Sequence, residues 1–589
     1  MSPQVTTLDA ATAGGFLLVL SVVVPVVGVL LAFATGGRQV ERIALMIMPM
    51  GLAIAASIAV AKLETGGPLA YLLGGWAPPL GVALRADGPS VVMISITAVV
   101  ICAIGVFARA DFRTPAGSVE ARAPFAFWIL LLAIWGALNM VFLGGDLFTL
   151  YVALELLTFS AVPLVSLDGR SETLQAALRY LLFALLGSVL YLAGTVLLYG
   201  SYGTLDTVLL AGQVRAEPPT LVAIALMTVG LLAKTALFPL HLWLPPAHAG
   251  APAAASAVLS GLVVKGSFFL VIRLWFDVMP GLTGYTGAQL LAAMGAAAIL
   301  FGSVVALRQE RLKLLVAYST VAQIGYLFLM FPLAFSPVTG QLQSGGALAG
   351  GILQAISHAS AKAAMFMSAG SIYATLGHDR IVGLGGLGRV LPLSVLAFAL
   401  GGVALIGLPP SGAYLAKELL LQAAVETQQW WWAIVVQAGG VFTSSYLVLV
   451  LAHALVPAEA PKMPVRVPRV ADAAALALAL CSLLLGLFPW EAYLSVPHGR
   501  PAKTIDFGSL ADALWPILVG GVLAILLGRW GTRLARVPCG KGVAAIRRSA
   551  FILGSMLERV DDIARQWTAA GLCLLVLVVL FGAAMLAGR

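Results

Sequence analysis

The sequence predicts an all-α integral membrane protein of about 16 transmembrane helices, and three observations predict it. Of 589 residues, 61% are hydrophobic and only 10% charged, a balance that excludes an ordinary water-soluble domain. Apolar runs of about 20 residues, the length a helix needs to cross roughly 30 Å of hydrocarbon, recur from one end to the other. The lysines and arginines fall in alternate connections, as they do when helices cross a bilayer in turn.

The spans are centred near residues 24, 51, 98, 134, 157, 188, 231, 264, 295, 324, 360, 406, 442, 480, 519 and 578. Residues 1–122 hold the first three. Met1 to Gly14 lacks a basic region and carries Asp9, so a retained first helix is expected rather than a cleaved signal peptide. The stretch from Gly66 to Leu84 is too broken by Gly and Pro for a span; a small hairpin or cap outside the bilayer is expected there.

Residues 123–276 hold spans four to eight, and residues 277–456 hold spans nine to thirteen. The seventh is interrupted by Pro239, Pro245, Pro246 and Pro252, and the twelfth by Pro409 and Pro410 between Gly407 and Gly412. The two breaks lie five spans apart. If the two groups are five-helix repeats, the odd number of helices inverts the second copy, and paired proline-interrupted segments point to a transport path.

Residues 457–589 hold the remaining spans and a different kind of segment. Residues 529–566 are polar and basic, with Ile546, Leu553, Met556, Val560, Ile563 and Trp567 at helical spacing, the pattern of an interfacial helix. Pro538 and Gly540 interrupt it upstream, and a final span follows.

A formal charge of +9 suggests nucleic acid in a soluble chain, but here its placement gives a topological reason and no nucleic-acid partner is expected. Connections after odd-numbered spans hold 23 Lys and Arg, and the opposite connections hold five, Lys62, Arg85, Arg215, Arg500 and Lys503. By the rule that basic loops stay inside, the first set is cytoplasmic, or on the equivalent side of an organelle, and both termini face out; a bacterial plasma membrane is the expected location. Cys102, Cys481, Cys539 and Cys573 are isolated, which gives no reason to expect a disulfide framework, a metal or a cofactor in this chain.

Buried charge carries the chemistry. Lys234, Lys265, Arg273, Lys362 and Lys417 lie within spans or at their ends. A lysine near the bilayer midplane costs about 3 kcal/mol on insertion scales, so its default reading is functional; Arg273, near a helix end, is expected to snorkel. Glu155 is alone in the apolar fifth span, and a carboxylate there is either protonated or paired. Lys234 is the expected partner. A pair at about 4 Å with an effective dielectric near 20 is worth roughly 4 kcal/mol, so protonating Glu155 removes enough stabilisation for the ammonium to release its own proton.

In the eleventh span Gln354, His358 and Lys362 stand at i, i+4 and i+8 on one face, and a histidine beside a lysine is a plausible relay. The tenth span offers Tyr318, Ser319, Thr320, Gln323 and Tyr326 as groups that hold water, but no carboxylate to mirror Glu155. His241 lies two turns along the same helix face from Lys234 and extends the path. Lys417 is chosen over its neighbour Glu418 as the functional residue of the second break. His248 is placed at an inner turn and His378, His453 and His498 near interfaces, in solvated or structural roles. The GLGGLG run at Gly383, Gly385 and Gly388 sits in a short loop without a preceding strand and is not read as a dinucleotide site.

At these residues the chain resembles the antiporter-like family shared by the proton-pumping membrane subunits of respiratory complex I, Mrp-type cation/proton antiporters and group 4 membrane hydrogenases. The matching words are GGDLFTLYVALELL, LLAKTALFPLHLWLPPAHAGAPAAASAVLSGLVVKG, LLVAYSTVAQIGYL, ISHASAKAAMF and GLPPSGAYLAKELL, between Pro124 and Leu455. The resemblance implies two inverted five-helix repeats with broken seventh and twelfth helices and a hydrated polar axis. It implies that Glu155, Lys234, Lys265, His358 and Lys417 carry protons. It further implies partner membrane subunits in a hetero-oligomeric complex, no redox cofactor bound by the chain itself, and Na⁺ or K⁺ as the candidate second ion. Electron transfer in a partner and exchange against an ion gradient both remain open as the driving force, as does coupling to inorganic-carbon uptake. The interrupted tail is shorter than the lateral helix of the complex I subunit with the longest extension, and GGWAPPLG at Gly74 to Gly81 looks more like the Mrp and hydrogenase branches.

Overall fold

A computed structural model describes residues 11–115, 118, 120–340, 342–458, 467–494, 507–527 and 541–587. Among them the fold is helical apart from one two-stranded hairpin, and 13 helices are long and apolar enough to cross a membrane. α1 (Phe16–Thr35), α2 (Gln39–Thr65) and α3 (Gly88–Ala108) precede α4 (Arg122–Leu143), α5 (Leu147–Val165) and α6 (Ser171–Tyr202). The next run is split into α7 (Pro218–Thr235) and α8 (Leu244–Gly250), and a helical run α9 (Ala253–Val278) follows. α10 (Tyr285–Arg308), α11 (Leu312–Ala334) and α12 (Gly345–Leu376) lead to a second split run, α13 (Pro392–Ile406) and α14 (Gly412–Glu426). α15 (Trp430–Ala454), α16 (Arg469–Leu484), α17 (Phe507–Leu527), α18 (Lys541–Ala564) and α19 (Trp567–Ala587) complete the chain.

Local chemistry sets several of these boundaries. Asp87 caps α3 by accepting from the Ser90 amide at 2.9 Å, with Pro89 in the first turn, where a missing N–H costs nothing. Asp146 caps α5 through the Thr149 amide at 2.8 Å, and Ser411 caps α14 through the Tyr414 amide at 3.1 Å. At the breaks the backbone turns left-handed, at Ala236 (φ 59°) after α7 and at Gly407 (φ 87°) after α13. Each break therefore ends one helix and starts another inside the bundle, leaving carbonyls free for side chains.

Burial identifies the centre. An apolar 18-residue stretch of α9 is 100% buried and that of α11 94%, against 28% for α1 and for α19, so α9 and α11 form the middle and the two terminal helices lie outermost. α6 packs on α7 through facing glycines: a Cβ on Gly187 would stand 2.6 Å from the Gly230 carbonyl oxygen, and one on Gly230 2.3 Å from that of Gly187. Small residues let membrane helices approach closely, and here they bring the α6 face up to Lys234.

The hairpin expected between the second and third spans is present. Its strands β1 (Leu69–Leu72) and β2 (Ala83–Ala86) pair antiparallel, with Leu69 opposite Ala86. Arg85 fastens it to the bundle by pairing with Asp206 at 2.8 Å. The tail helix also follows its sequence pattern. On α18 Leu553, Met556, Val560 and Ile563 are exposed on one face, while Glu558 on the other grips Arg308 of α10 with two bonds of 2.8 Å. The side chain of Ile546 and the expected interruption at Pro538 and Gly540 lie outside the described residues.

Two expectations are corrected. Arg273 does not reach out to the interface; its guanidinium holds Asp87 with bonds of 2.5 and 2.6 Å, Asp277 at 2.6 Å and Ser90 at 2.7 Å. A planar donor fork facing a carboxylate outweighs a longer reach to water. Nor does His241 share a helix face with Lys234: α7 ends at Thr235, the backbone turns left-handed at Ala236, and His241 opens a separate short turn before α8. His248, at the inner turn, is fully buried and stacks on Phe366 at 4.6 Å.

Candidate functional site

The break in the seventh run brings the first charged pair together. Lys234 occupies the last turn of α7, and its ammonium lies 3.4 Å from Glu155 Oε1, 2.8 Å from Thr158 Oγ1 and 3.4 Å from the Leu154 carbonyl. Glu155 also accepts from the Ser188 hydroxyl of α6. Both charges thus have polar company, which buried ions require.

From Lys234 a run of neutral polar groups leads inward. Thr235 and Ser267 place their hydroxyls 2.9 Å apart, and a cavity of about 10 Å³, lined by Thr158, Lys234 and Ser267 among others, has the volume of a single water. Ser267 is two residues from Lys265, which is 0% exposed. A π-helical turn, Leu259–Val263, precedes this lysine, and its ammonium donates to the Ser260 carbonyl inside that turn. Such turns free a carbonyl from the regular ladder and recur at functional sites.

α11 carries the connection across to the second half. Ser260 and Thr320 hydroxyls stand 3.0 Å apart, and next to Thr320 the Ser319 hydroxyl accepts from Lys362 of α12. One turn on, Gln323 accepts from Gln354 at 3.0 Å and donates to Thr443 of α15 at 3.1 Å. One turn further, the ring of Tyr326 lies 5.9 Å beneath the ammonium of Lys417. Lys417 itself donates to the Ile406 carbonyl, the end of α13 exposed by the second break. A cation belongs at that negative helix end.

His358 sits one turn from both Gln354 and Lys362, fully buried, and among the described residues neither ring nitrogen has a hydrogen-bond partner. Tyr318 belongs elsewhere. It lines a cavity of about 980 Å³, where it donates to Asp561 of α18 at 2.7 Å. The exposed Arg170 and Glu172 lie at the rim of this cavity, and Asp168, Arg179, Lys313 and Arg565 are among its walls. Asp561 Oδ1 stands 3.3 Å from His241 Nε2, close enough for charge attraction though not aligned as a hydrogen bond. Its other oxygen accepts from Arg565 at 2.5 Å. Burial works against the Asp561 carboxylate, but His241, Arg565 and Tyr318 outweigh it and bring its pKa down to about 2.

Sequence reasoning singled out the ionisable residues that the structure places along α5, α7, α9, α12 and α14. It passed over Thr158, Ser188, Thr235, Ser260, Ser267 and Thr443, since single hydroxyls are common on membrane helices; their spacing of one helical turn or less from a buried charge was the available signal for some, Thr158 beside Glu155 above all. Asp561 was also missed, because a carboxylate on an interfacial helix reads as solvated.

Residues 144–443 match the family described as NADH:quinone oxidoreductase/Mrp antiporter, TM. The chain is 34% identical over 418 residues to NADH-quinone oxidoreductase subunit N of Desulforudis audaxviator, covering 69% of this chain and 80% of the relative. It is 27% identical over 443 residues to a Na⁺/H⁺ antiporter subunit of Alkalihalophilus pseudofirmus, covering 74% and 86%. Among solved structures, a chain of the Mrp complex from a Dietzia species shares the fold with a TM-score of 0.72 and 24% identity, over 87% of this chain and 99% of that one. A chain of the membrane-bound sulfane sulfur reductase, an archaeal respiratory membrane complex, gives 0.71 and 25%, over 86% and 99%.

Proposed function

Because the chain belongs to the NADH:quinone oxidoreductase/Mrp antiporter transmembrane family, we propose that it carries protons across the membrane within a multisubunit complex. The path is Glu155, Lys234, Lys265, His358 and Lys417, with Gln354, Lys362, Ser319 and Gln323 as intermediate groups. The observation that carries this reading is the contact of Lys234 with Glu155 at 3.4 Å beside a helix break, continued by hydroxyl and amide groups to Lys265, Lys362 and Lys417. Lys234 is stabilised as a cation by Glu155, a neighbour whose own charge can change, while Lys265, Lys362 and Lys417 donate to backbone carbonyls or a hydroxyl. Moving one elementary charge through the field costs about 2.3 kcal/mol per 100 mV, comparable with the roughly 4 kcal/mol of one close pair at intermediate dielectric.

The same reading covers the architecture. Sixteen spans result when the long polar helix α12, the split run α13–α14 and α17 are added to the 13 apolar helices. An inverted relation between spans four to eight and nine to thirteen is supported by two isolated antiparallel bridges, Asp146 with Asp206 around α5 and α6, and Arg311 with Arg380 around α11 and α12. It is also supported by the left-handed residue at each break. A bacterial inner membrane with both termini outside agrees with the basic connections.

Partner subunits supply the driving force, either electron transfer or exchange against Na⁺ or K⁺. Purification of the intact complex, identification of its chains by mass spectrometry and measurement of proton movement in vesicles test both parts. Proton movement that needs Lys234 supports the reading, and full movement in Lys234→Ala overturns it.

A further inference from the structure

Lys417 reaches its carbonyl through a slot made by glycines. One wall is Gly407, left-handed at φ 87°, where a Cβ would stand 2.9 Å from Lys417 Cδ and 3.3 Å from its Nζ. The facing wall is α15. A Cβ on Gly440 would stand 3.0 Å from the same Nζ and 3.9 Å from the Ile406 carbonyl oxygen, which accepts from the ammonium. The neighbouring Gly439 admits a different side chain: a Cβ there would stand 1.9 Å from the hydroxyl oxygen of Tyr326, whose ring lies 5.9 Å from the ammonium. Two adjacent glycines of one helix thus make room for the two side chains that meet at the second break.

A helix outside residues 144–443 closes the slot. The position of a Gly440 Cβ is 3.7 Å from Pro516 Cβ of α17, and Ser444, one turn along α15, donates to the Pro516 carbonyl at 2.6 Å. One turn along α17, Gly520 lies flush with α15: a Cβ there would stand 1.8 Å from Ser444 Oγ and 2.6 Å from the Val441 carbonyl oxygen. Close approach of this kind is what small residues permit between membrane helices, and here it holds Pro516 against the open side of the slot.

We propose that Gly440 is a positioning residue for the proton exchange of Lys417: by carrying no side chain it keeps the ammonium on the Ile406 carbonyl. This rests on the proton-carrying reading above. The two walls differ in what a substitution disturbs. At Gly407 a side chain meets the lysine stem and has to adopt a left-handed φ, which strains the break itself. At Gly440 the only contact closer than ordinary van der Waals range is with the free end of a flexible chain, so the ammonium yields before the helices do, and the interior of a helix favours a side chain over glycine. Gly440 therefore separates the placing of the ammonium from the packing of the bundle.

The test is an isosteric pair, Gly440→Val and Gly440→Thr, measured for proton translocation by the intact complex in membrane vesicles and for melting temperature. Both side chains fill the slot to nearly the same volume, but the threonine hydroxyl offers the displaced ammonium an acceptor oxygen in place of the carbonyl. A hydrogen bond to a charged group is among the stronger ones, so Gly440→Val is expected to lower translocation about tenfold or more, and Gly440→Thr to retain at least about threefold more than Gly440→Val, with the two variants melting alike. Equal losses in the pair, as for a glycine needed only for helix packing, overturn the proposal; so does the parent rate in Gly440→Val. If neither variant assembles, Gly440→Ala decides: it places the Cβ alone, and a loss of about threefold or more at the parent melting temperature supports the proposal, whereas the parent rate overturns it. Lys417→Gln, measured alongside, separates the two levels. Full translocation there removes the reading of Lys417 as a proton carrier, whereas loss there with equal rates in the Val and Thr variants removes only the role of Gly440.

Discussion

The ammonium of Lys234 lies 3.4 Å from Glu155 Oε1 and 2.8 Å from Thr158 Oγ1, at the last turn before the first helix break. At an effective dielectric near 20 a pair at this range is worth roughly 4 kcal/mol, and tenfold in a rate corresponds to about 1.4 kcal/mol. Glu155→Gln and Lys234→Ala are each expected to lower proton translocation at least about tenfold. The protein should still assemble, because Ser188 and Thr158 remain to satisfy whichever group is left. Dye-reported acidification of vesicles, with native gels for assembly, checks this, and near-normal acidification in either variant counts against the pair.

Gly187 sets the distance between α6 and α7. A methyl there meets the Gly230 carbonyl oxygen at 2.6 Å and Lys234 Cγ at 3.2 Å, so the backbone of one helix has to move. Overpacking of this kind costs about 1–3 kcal/mol. Gly187→Ala is expected to lower the melting temperature of the purified complex and to draw Ser188 away from Glu155, reducing translocation by more than the loss of folded protein explains. Thermal unfolding compared with activity per folded complex measures both.

Much of this site was legible in the sequence, and the limit is physical. Glu155, Lys234, Lys265, Lys362 and Lys417 stand out because a charge in an apolar run is costly wherever the helix goes, so each advertises itself without reference to any partner. The breaks were legible for the same local reason, as was the hairpin, where Gly and Pro forbid a span. What periodicity does not give is which faces meet. Arg273 finds Asp87 across 186 residues of sequence, and His241 finds Asp561 from the tail. Both pairings depend on packing of distant helices, and neither carboxylate partner could be read from the residues around the cation or imidazole it meets. Tyr318 was placed on the correct helix with a water-holding role, yet its side chain turns to the cavity and to Asp561 rather than to Lys362.

A buried carboxylate outside the path gives a stability test. Asp472 of α16 is 5% exposed, and its Oδ1 alone accepts from Ser371 of α12 and Ser394 of α13, each at 2.7 Å. Interhelical hydrogen bonds in membranes average about 0.6 kcal/mol and reach roughly 1.7. Asp472→Ala is expected to destabilise the complex by about 1–3 kcal/mol by losing both and leaving two buried hydroxyls. Asp472→Asn keeps an acceptor oxygen in place and should retain most of the stability. Denaturation midpoints of the two variants decide it; equal losses mean that the negative charge matters rather than the acceptor.

Lys417 separates a structural role from a functional one most directly. Its ammonium donates to the Ile406 carbonyl at the broken end of α13 and lies over Tyr326, an arrangement that a helix C-terminus favours by about 0.3–1 kcal/mol at exposed sites and up to about 2 kcal/mol when partly buried. If the side chain served only to close that helix end, a neutral donor of similar length would replace it. Lys417→Gln supplies such a donor but cannot gain or lose a proton in the working range. The variant is therefore expected to assemble and melt close to the parent while translocation falls about tenfold or more. Lys417→Arg keeps the charge and the donor, but its guanidinium does not deprotonate, so it too should assemble and fail to turn over. Translocation near the parent rate in Lys417→Gln would reduce Lys417 to a cap and end the path at Lys362; loss in both variants with the helix end intact means that this position has to exchange a proton, as Lys234 does at the first break.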